Sequence, residues 1–338
     1  MYADIIIKNA KCITVNDEKV FEWLAIKDKK IIAIDNGKKY NSLINKTTII
    51  LDAKGKSVLP GFIDSHFHLV QTAMNEEGIN LHNVSSFEEI GKKIKKANEI
   101  IARLFEDVLP KHVKAGISTY ELDQIAEDYI RSQGAIPGTK GYDVGHPYPP
   151  YPAATCISVN EVVVHGIPSK KQILKEGDIL TVDTVTVLDG YFGDAAITYA
   201  VGEIDETSKK LMEVTEKARD IGIEVARAGN RIGDIGHAIQ EYVESFGFSL
   251  VRDFAGHGVG KEMHEDPIIP NYGKAGTGAK IEDGMVITVE PMVNVGTYKV
   301  KVLSDMWTAV TKDGKRSAQY EHSLAIIDGK PVILSVRD

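Results

Sequence analysis

The chain has 338 residues, 43% hydrophobic and 26% charged, with a formal net charge of −8. This length can bury a full core in two units rather than one. An acidic balance without a basic block argues against nucleic acid as a main partner. Two cysteines far apart in sequence, Cys12 and Cys156, suit a reducing compartment and exclude a disulfide framework. The start has no signal-peptide pattern and no apolar run reaches membrane-spanning length. A cytoplasmic protein without a membrane partner is therefore expected.

Residues 3–70 read as strands. ADIIIKNAKCITV, EWLAIKDKKIIAID and TTIILDAKGKSVLPGFIDSHFHL are rich in Ile and Val and are separated by turn-prone segments. The last of these ends in His66 and His68, which share one face of a strand and would form half of a metal site. The period then turns helical. FEEIGKKIKKANEIIARLFEDVL places Ile90, Ile94, Ala97, Ile101 and Leu104 at spacings of three and four. Ser86 and Glu89 form its expected capping box. STYELDQIAEDYIRSQG is a second amphipathic helix, with Ser118 or Thr119 as cap and Gly134 as stop. SKKLMEVTEKARDIGIEVARAG and DIGHAIQEYVESFG are two more, with strands between the helices. The reading is a mostly β segment over residues 1–85, then an α+β domain over 86–338.

EGDILTVD (176–183) matches DGMVITVE (283–290). Each opens on an acid-Gly pair, continues as an apolar strand and ends on a carboxylate, Asp183 or Glu290. Two such units predict a pseudo-symmetric fold with its site between the halves. Asp189-Gly190 predicts a two-residue hairpin turn. Counting outward, Leu188 faces Tyr191 and Val185 faces Asp194. Asp183 and Asp194 are then diagonal neighbours, with backbones about 7–8 Å apart. Two bare carboxylates among Val, Leu, Tyr and Phe repel and are costly to desolvate, and a cation between them removes both problems. AGHGVGKEMHEDP adds His257 and His264, and SAQYEHSLAII adds Glu321. Four carboxylates with one imidazole fit a pair of divalent ions such as Mn, Co, Fe or Zn. The absence of a thiolate argues against a structural zinc site.

KGYDV, CISVNEVVVHGIP, VDTVTVLDGYFGD, AGHGVGKEMHEDP, TVEPMV and SAQYEH follow one another in the order found in type I methionine aminopeptidases, and from about residue 88 onward the chain resembles that family. The resemblance implies the pita-bread fold, two pseudo-symmetric halves around a curved antiparallel sheet. It implies Asp183, Asp194, His257, Glu290 and Glu321 as metal ligands, with Asp194 and Glu321 bridging two ions. It implies that His165 and His264 contact the substrate amide, that Glu290 shuttles a proton, and that Tyr142, Cys156, Met263 and Trp307 line the methionine pocket. The activity implied is removal of the N-terminal methionine from nascent, ribosome-associated chains with a small second residue. A metal-bridged hydroxide would attack the first peptide carbonyl. The short spacing from His257 to Glu290 leaves no room for the helical insert of type II enzymes. A proline-directed pita-bread peptidase is the nearest rival, and a relative that only binds partners would have lost ligands.

The chain departs from the pattern in two places. DVGHPYPPYPAAT (143–155) is longer than the usual loop and rich in Pro and Tyr. It is either a stiff surface turn or a rim over the methionine pocket. Residues 3–85 resemble the start of an amidohydrolase, ending in the metal-binding His-x-His of a first barrel strand. The other barrel strands and ligands are missing, so His66 and His68 are expected to be relics. Completion of their site by Asp64, His82 or another subunit is the alternative. A half sandwich cannot bury its apolar face alone, so a homodimer or a docked extension built on residues 3–60 is expected.

Overall fold

The Ile- and Val-rich runs near the start form two small sheets in the computed structural model, which describes residues 2–13, 20–27, 30–58 and 87–337. Strands β1 (Ile5–Lys8), β2 (Trp23–Lys27), β3 (Lys30–Asp35) and β4 (Ile49–Asp52) make a sheet of order β3-β2-β1-β4. Strand β1 pairs antiparallel with β2 and parallel with β4. Val20–Phe21, Lys11–Ile13 and Ser57–Val58 make a second sheet. Ala3, Ile6, Trp23 and Ala25 form a small core, with the Tyr40 ring edge-on to Trp23 at 5.6 Å. The outer strands show no one-in, one-out alternation. Ile49, Ile50 and Leu51 are all exposed, as are Ile31 and Ile32. Both strands are edges of a sheet whose core is too small to cover them. His66, His68, Asp64, His82 and the Ser86 cap lie outside the described residues.

The chain divides into two compact units, one on either side of the undescribed stretch 59–86. In the second unit the predicted helices form as α1 (Phe87–Arg103), α2 (Thr119–Ser132), α3 (Glu206–Val225) and α4 (Ile232–Ser245). The anticipated stripe Ile94, Ala97, Ile101 and Leu104 is buried. One difference is that α1 does not run on as a regular helix: residues 104–108 widen into a wider turn before Leu109–Lys111. Ser118 caps α2 through a reciprocal pair. Its hydroxyl accepts the Glu121 N–H at 3.2 Å, and the Glu121 carboxylate accepts the Ser118 N–H at 3.0 Å. Among the described residues no helix is long and apolar enough to cross a membrane.

Seven of the strands in a nine-stranded antiparallel sheet position the site: β5 (Cys156–Val159), β6 (Ile179–Leu188), β7 (Tyr191–Ala200), β8 (Gly256–Gly258), β9 (Glu265–Ile269), β10 (Val286–Val289) and β11 (Glu321–Ile327). Strands β7 and β11 meet at the centre, with Ala195 opposite His322 and Ala196 opposite Glu321. Outward from them lie β6 on one side and β10 on the other. The sequence repeat occupies matching places. Gly177 and Gly284 open β6 and β10 with φ of +87° and +89°, a conformation that favours glycine. Their N–H groups donate to Val201 and Ile326, at the ends of the paired strands, both at 2.9 Å. One core gathers α1 and α2 over the first half, and another gathers α3 and α4 over the second.

Helix α1 lies directly on the β6–β7 hairpin. A Cβ on Gly193 would stand 2.6 Å from the Asn98 backbone nitrogen, so only glycine allows this approach. The Asn98 side-chain oxygen accepts the Asp194 N–H at 3.2 Å, and the Thr186 hydroxyl donates to the Ala97 carbonyl at 2.7 Å. The strand carrying Asp194 is thereby pinned to the helix.

Candidate metal centre

The hairpin turn sets the first two acids. Asp189 and Gly190 have φ of +51° and +77°, the two positive values that a type I′ turn requires. Leu188 faces Tyr191, Val185 faces Asp194 and Asp183 faces Ala196, the register counted from the sequence. Glu290 follows β10 and Glu321 opens β11. His257 lies in β8 between two glycines that admit close neighbours. A Cβ on Gly256 would fall 2.7 Å from the Thr288 carbonyl oxygen, and one on Gly258 would fall 2.5 Å from that of Asp266.

Hydrogen bonds orient these groups. His257 Nδ1 lies 2.9 Å from the Gly258 carbonyl oxygen. A carbonyl only accepts, so Nδ1 carries the proton and the Nε2 lone pair faces the site. That Nε2 is 3.7 Å from Asp194 Oδ2 and 3.6 Å from Glu290 Oε1. The Thr288 hydroxyl accepts the His257 N–H at 3.0 Å and donates to Glu290 Oε1 at 2.8 Å, while Gln319 donates to Glu290 Oε2 at 3.3 Å. One ligand atom each from Asp194, His257 and Glu321 lie within 4.8 Å of one another. Glu321 is 2% exposed, and its Oε1 is buried without a hydrogen-bond partner.

The electrostatics point the same way. Burial pushes Asp183 up to about 7. Burial, then the Asp183 charge, pushes Glu290 up to about 8. Asp194 and Glu321 rise well above the usual carboxylate range through burial and then through their acidic neighbours. Burial and the neighbouring His264 hold His257 at about 4. Four adjacent acids, three buried and Asp183 half-buried, cannot all ionise beside one another unless positive charge joins them. Together with the orphaned Glu321 oxygen and the outward lone pair of His257, this donor set fits a divalent cation.

A cavity of about 350 Å³ opens beside these acids. The structure brings every site residue implied by the aminopeptidase resemblance to its wall: Asp183, Asp194, His257, Glu290, Glu321, His165, His264, Tyr142, Cys156, Met263 and Trp307. His165 stands at φ +57° and packs edge-on against Phe254 at 5.3 Å and Trp307 at 6.0 Å. Burial, then His264, lowers it to about 4. The rings of His257 and His264 are 4.3 Å apart, and His264 Nδ1 is 2.7 Å from the Tyr142 hydroxyl. Burial raises Tyr142, so the phenol keeps its proton. Asn98, Thr288 and Gln319 were not singled out. Thr288 sits inside the DGMVITVE repeat, where the hydroxyl between apolar residues was a usable signal. Asn98 lies on an amphipathic helix and had none.

Comparison with known proteins agrees with this geometry. Metallopeptidase family M24 matches residues 92–328, and the amidohydrolase family matches residues 50–129. The methionine aminopeptidase of Clostridium acetobutylicum is 51% identical over 243 residues, covering 72% of this chain and 94% of that protein. Methionine aminopeptidase 1 of Bacillus subtilis is 50% identical over 235 residues, covering 70% and 92%. The crystal structure of methionine aminopeptidase from Thermotoga maritima superposes with a TM-score of 0.71 at 43% identity, over 75% of this chain and 99% of that one. The prolidase of Pyrococcus furiosus has a TM-score of 0.57 at 20% identity, covering 87% and 71%, and shares the fold alone. The proline-directed alternative thus has much the weaker support, and the chain belongs to metallopeptidase family M24, among its type I methionine aminopeptidases.

Proposed function

We infer that this protein hydrolyses the first peptide bond of chains beginning with methionine, preferring a small second residue. The observation that carries the reading is the single cavity that joins acidic, metal-type donors to an apolar pocket. Asp183, Asp194, His257, Glu290 and Glu321 would hold two divalent ions, Mn, Co, Fe or Zn, with Asp194 and Glu321 shared. Four carboxylates against two dications leave the buried site neutral. When bound, such ions supply Lewis acidity and a water of lowered pKa.

The chain's own residues do the rest. With the Tyr142 hydroxyl, 2.7 Å from His264 Nδ1, acting as donor, the N–H on Nε2 would be free to donate to the scissile carbonyl oxygen as charge develops there. Thr288 and Gln319 hold the two Glu290 oxygens, an orientation suited to carrying a proton toward the leaving nitrogen. His165 faces the scissile amide. Tyr142, Cys156, Met263 and Trp307 offer an apolar wall to a flexible thioether. Burial keeps the Cys156 thiol protonated, so it acts as wall and not as nucleophile. The free amine of the substrate lies toward Asp183, which makes an acetylated or internal methionine a poor substrate.

Nascent N-termini are the substrate class, with ribosome association and a cytoplasmic setting as part of the proposal. Residues 1–85 form an amidohydrolase-like segment outside the chemistry of 86–338, and self-association through its strands is their proposed role. The test is release of amino acid from Met-Ala, Met-Leu and X-Pro peptides by metal-reconstituted protein, read by mass spectrometry. Methionine from Met-Ala peptides is the expected product. Cleavage of X-Pro peptides alone would overturn the reading.

A further inference from the structure

The segment between Tyr142 and Tyr151 departs from the family pattern, and it has a defined shape. Its base is closed by two backbone bonds: Tyr151 N–H to Tyr142 C=O at 2.9 Å, and Gly141 N–H to Tyr151 C=O at 2.8 Å. Inside, the Gly145 N–H donates to the Asp143 carboxylate at 2.8 Å and the Tyr148 N–H donates to the Gly145 carbonyl at 3.0 Å. Gly145 takes φ +85°. A loop closed at its base and braced within is a compact unit, not a loose tether.

One of its residues reaches the cavity, and two more reach Trp307. Val144 lines the wall. The Tyr148 ring lies 6.2 Å from the Trp307 ring, tilted by 58°. The Pro149 carbonyl accepts the Trp307 indole N–H at 2.8 Å. From the other side the Tyr151 ring meets Trp307 edge-on at 5.3 Å. The Trp307 backbone is fixed separately, because the Asp305 carboxylate accepts the N–H groups of Trp307 and Thr308 at 2.9 and 2.8 Å. Trp307 is consequently 8% exposed although Tyr148 beside it is 45% exposed.

We propose that residues 143–150 are a fixed lip that holds the Trp307 indole as a wall of the methionine pocket and so sets which first side chains the enzyme accepts. The proposal rests on the methionine-releasing function inferred above. A buried indole N–H needs an acceptor. Without the Pro149 carbonyl and the Tyr148 ring, the indole N–H loses its acceptor and one face of the ring its cover, leaving only the edge contacts of Tyr151 and His165, and rotation toward solvent widens the pocket. A pocket of fixed width separates side chains of different shape by roughly 10–200-fold, and a loose one does not.

The test uses the full chain, reconstituted with metal, and compares wild type with a variant in which residues 144–149 are replaced by Gly-Gly, removing the Tyr148 ring and the Pro149 carbonyl together, on Met-Ala-, Leu-Ala- and Phe-Ala-peptides. The kcat/KM preference for Met over Leu and Phe is expected to fall by about tenfold or more, with KM for the Met peptide raised. A preference within about twofold of wild type overturns the proposal. A second measurement needs no turnover. The chain has two tryptophans, so a Trp23→Phe background leaves Trp307 as the sole indole. Acrylamide quenching of its fluorescence should rise when residues 144–149 are replaced, and unchanged quenching also overturns the lip. If wild type releases no methionine at all, the functional reading fails, and the quenching result still decides whether the lip holds Trp307.

Discussion

The two units of the chain begin from the same sequence signal and end in opposite physical states. Strand β4 and strand β7 are both apolar-rich, yet Ile49, Ile50 and Leu51 stand 57%, 44% and 48% exposed while Ala195 and Ala196 stand 2% and 1% exposed. The difference lies in the cover. Helix α1 rests on β7 at backbone contact through Gly193, whereas β4 is the edge of a small sheet. Cover separates surface acids from site acids in the same way. Asp35 is held below the usual carboxylate range by the Asn36 backbone N–H and by Lys39, and Asp52 chiefly by the Lys54 backbone N–H. The four acids of the candidate metal centre, Asp183, Asp194, Glu290 and Glu321, are instead pushed upward by burial. A carboxylate becomes a metal ligand in waiting when helices remove its water, and residue type alone does not tell the two apart.

That contrast can be broken at several points. The sharpest is Asp194→Ala or Glu321→Ala, either of which should reduce turnover by about 10³-fold or more, because each is proposed to hold both ions. Retention of a tenth of the activity at saturating metal would refute the dinuclear arrangement. Next, His264→Ala should slow turnover by roughly 10²–10³-fold with metal content unchanged, while His257→Ala should lose metal. Elemental analysis separates the two, and the reverse pattern would exchange their roles.

A thermodynamic comparison is smaller but broader. Without metal, the folded protein binds protons on Asp183 and Glu290 up to about 7 and 8, where unfolded carboxylates have released theirs. Stability from these groups is therefore complete at acid pH and is lost as pH rises. His165, His257 and His322, held at about 4, 4 and 3 chiefly by burial, act in the opposite sense, but only up to the ordinary imidazole range near 6.5. Above that range the acids act alone. Metal-free protein should lose about 1.4 kcal/mol per pH unit for each extra bound proton between roughly pH 6.5 and 8, and metal should remove the slope. Thermal melts with and without chelator measure it, and a flat metal-free profile contradicts the buried-acid account. Gly193→Ala should cost about 1–3 kcal/mol by forcing α1 off the hairpin, read by denaturant midpoint.

The smallest expected effect lies in the first unit. The double change His66→Ala, His68→Ala should leave kcat unchanged, since all five proposed ligands lie beyond residue 180. Loss of methionine release would tie the two units into one active centre and dissolve the contrast.

Much of the site was legible because its geometry is local. The Asp189-Gly190 turn sets the diagonal of Asp183 and Asp194 with no tertiary information, and the repeat announced the equivalent places of β6 and β10. The supports were harder to see. Asn98 reaches Asp194 across 96 positions of sequence, and the lone acceptor of Trp307, the Pro149 carbonyl, is a backbone atom common to every residue type. That the first unit could not bury its apolar face alone was expected, but which strand would stand exposed was not legible, for a related reason. Alternation reports what a strand could bury and is silent on whether anything covers it.

The hairpin between β6 and β7 carries a last consequence, for how this sequence can change through evolution. Side chains alternate faces with a period of two, so one inserted or deleted residue between Asp183 and Asp194 would turn one carboxylate to the opposite face of the sheet. Leu188 and Tyr191 can be exchanged for other residues without that result, and Asp189 for those that accept a positive φ. Across descendants of this chain, the number of residues from Asp183 to Asp194 should vary far less than their identity, and length here is the trait that selection guards.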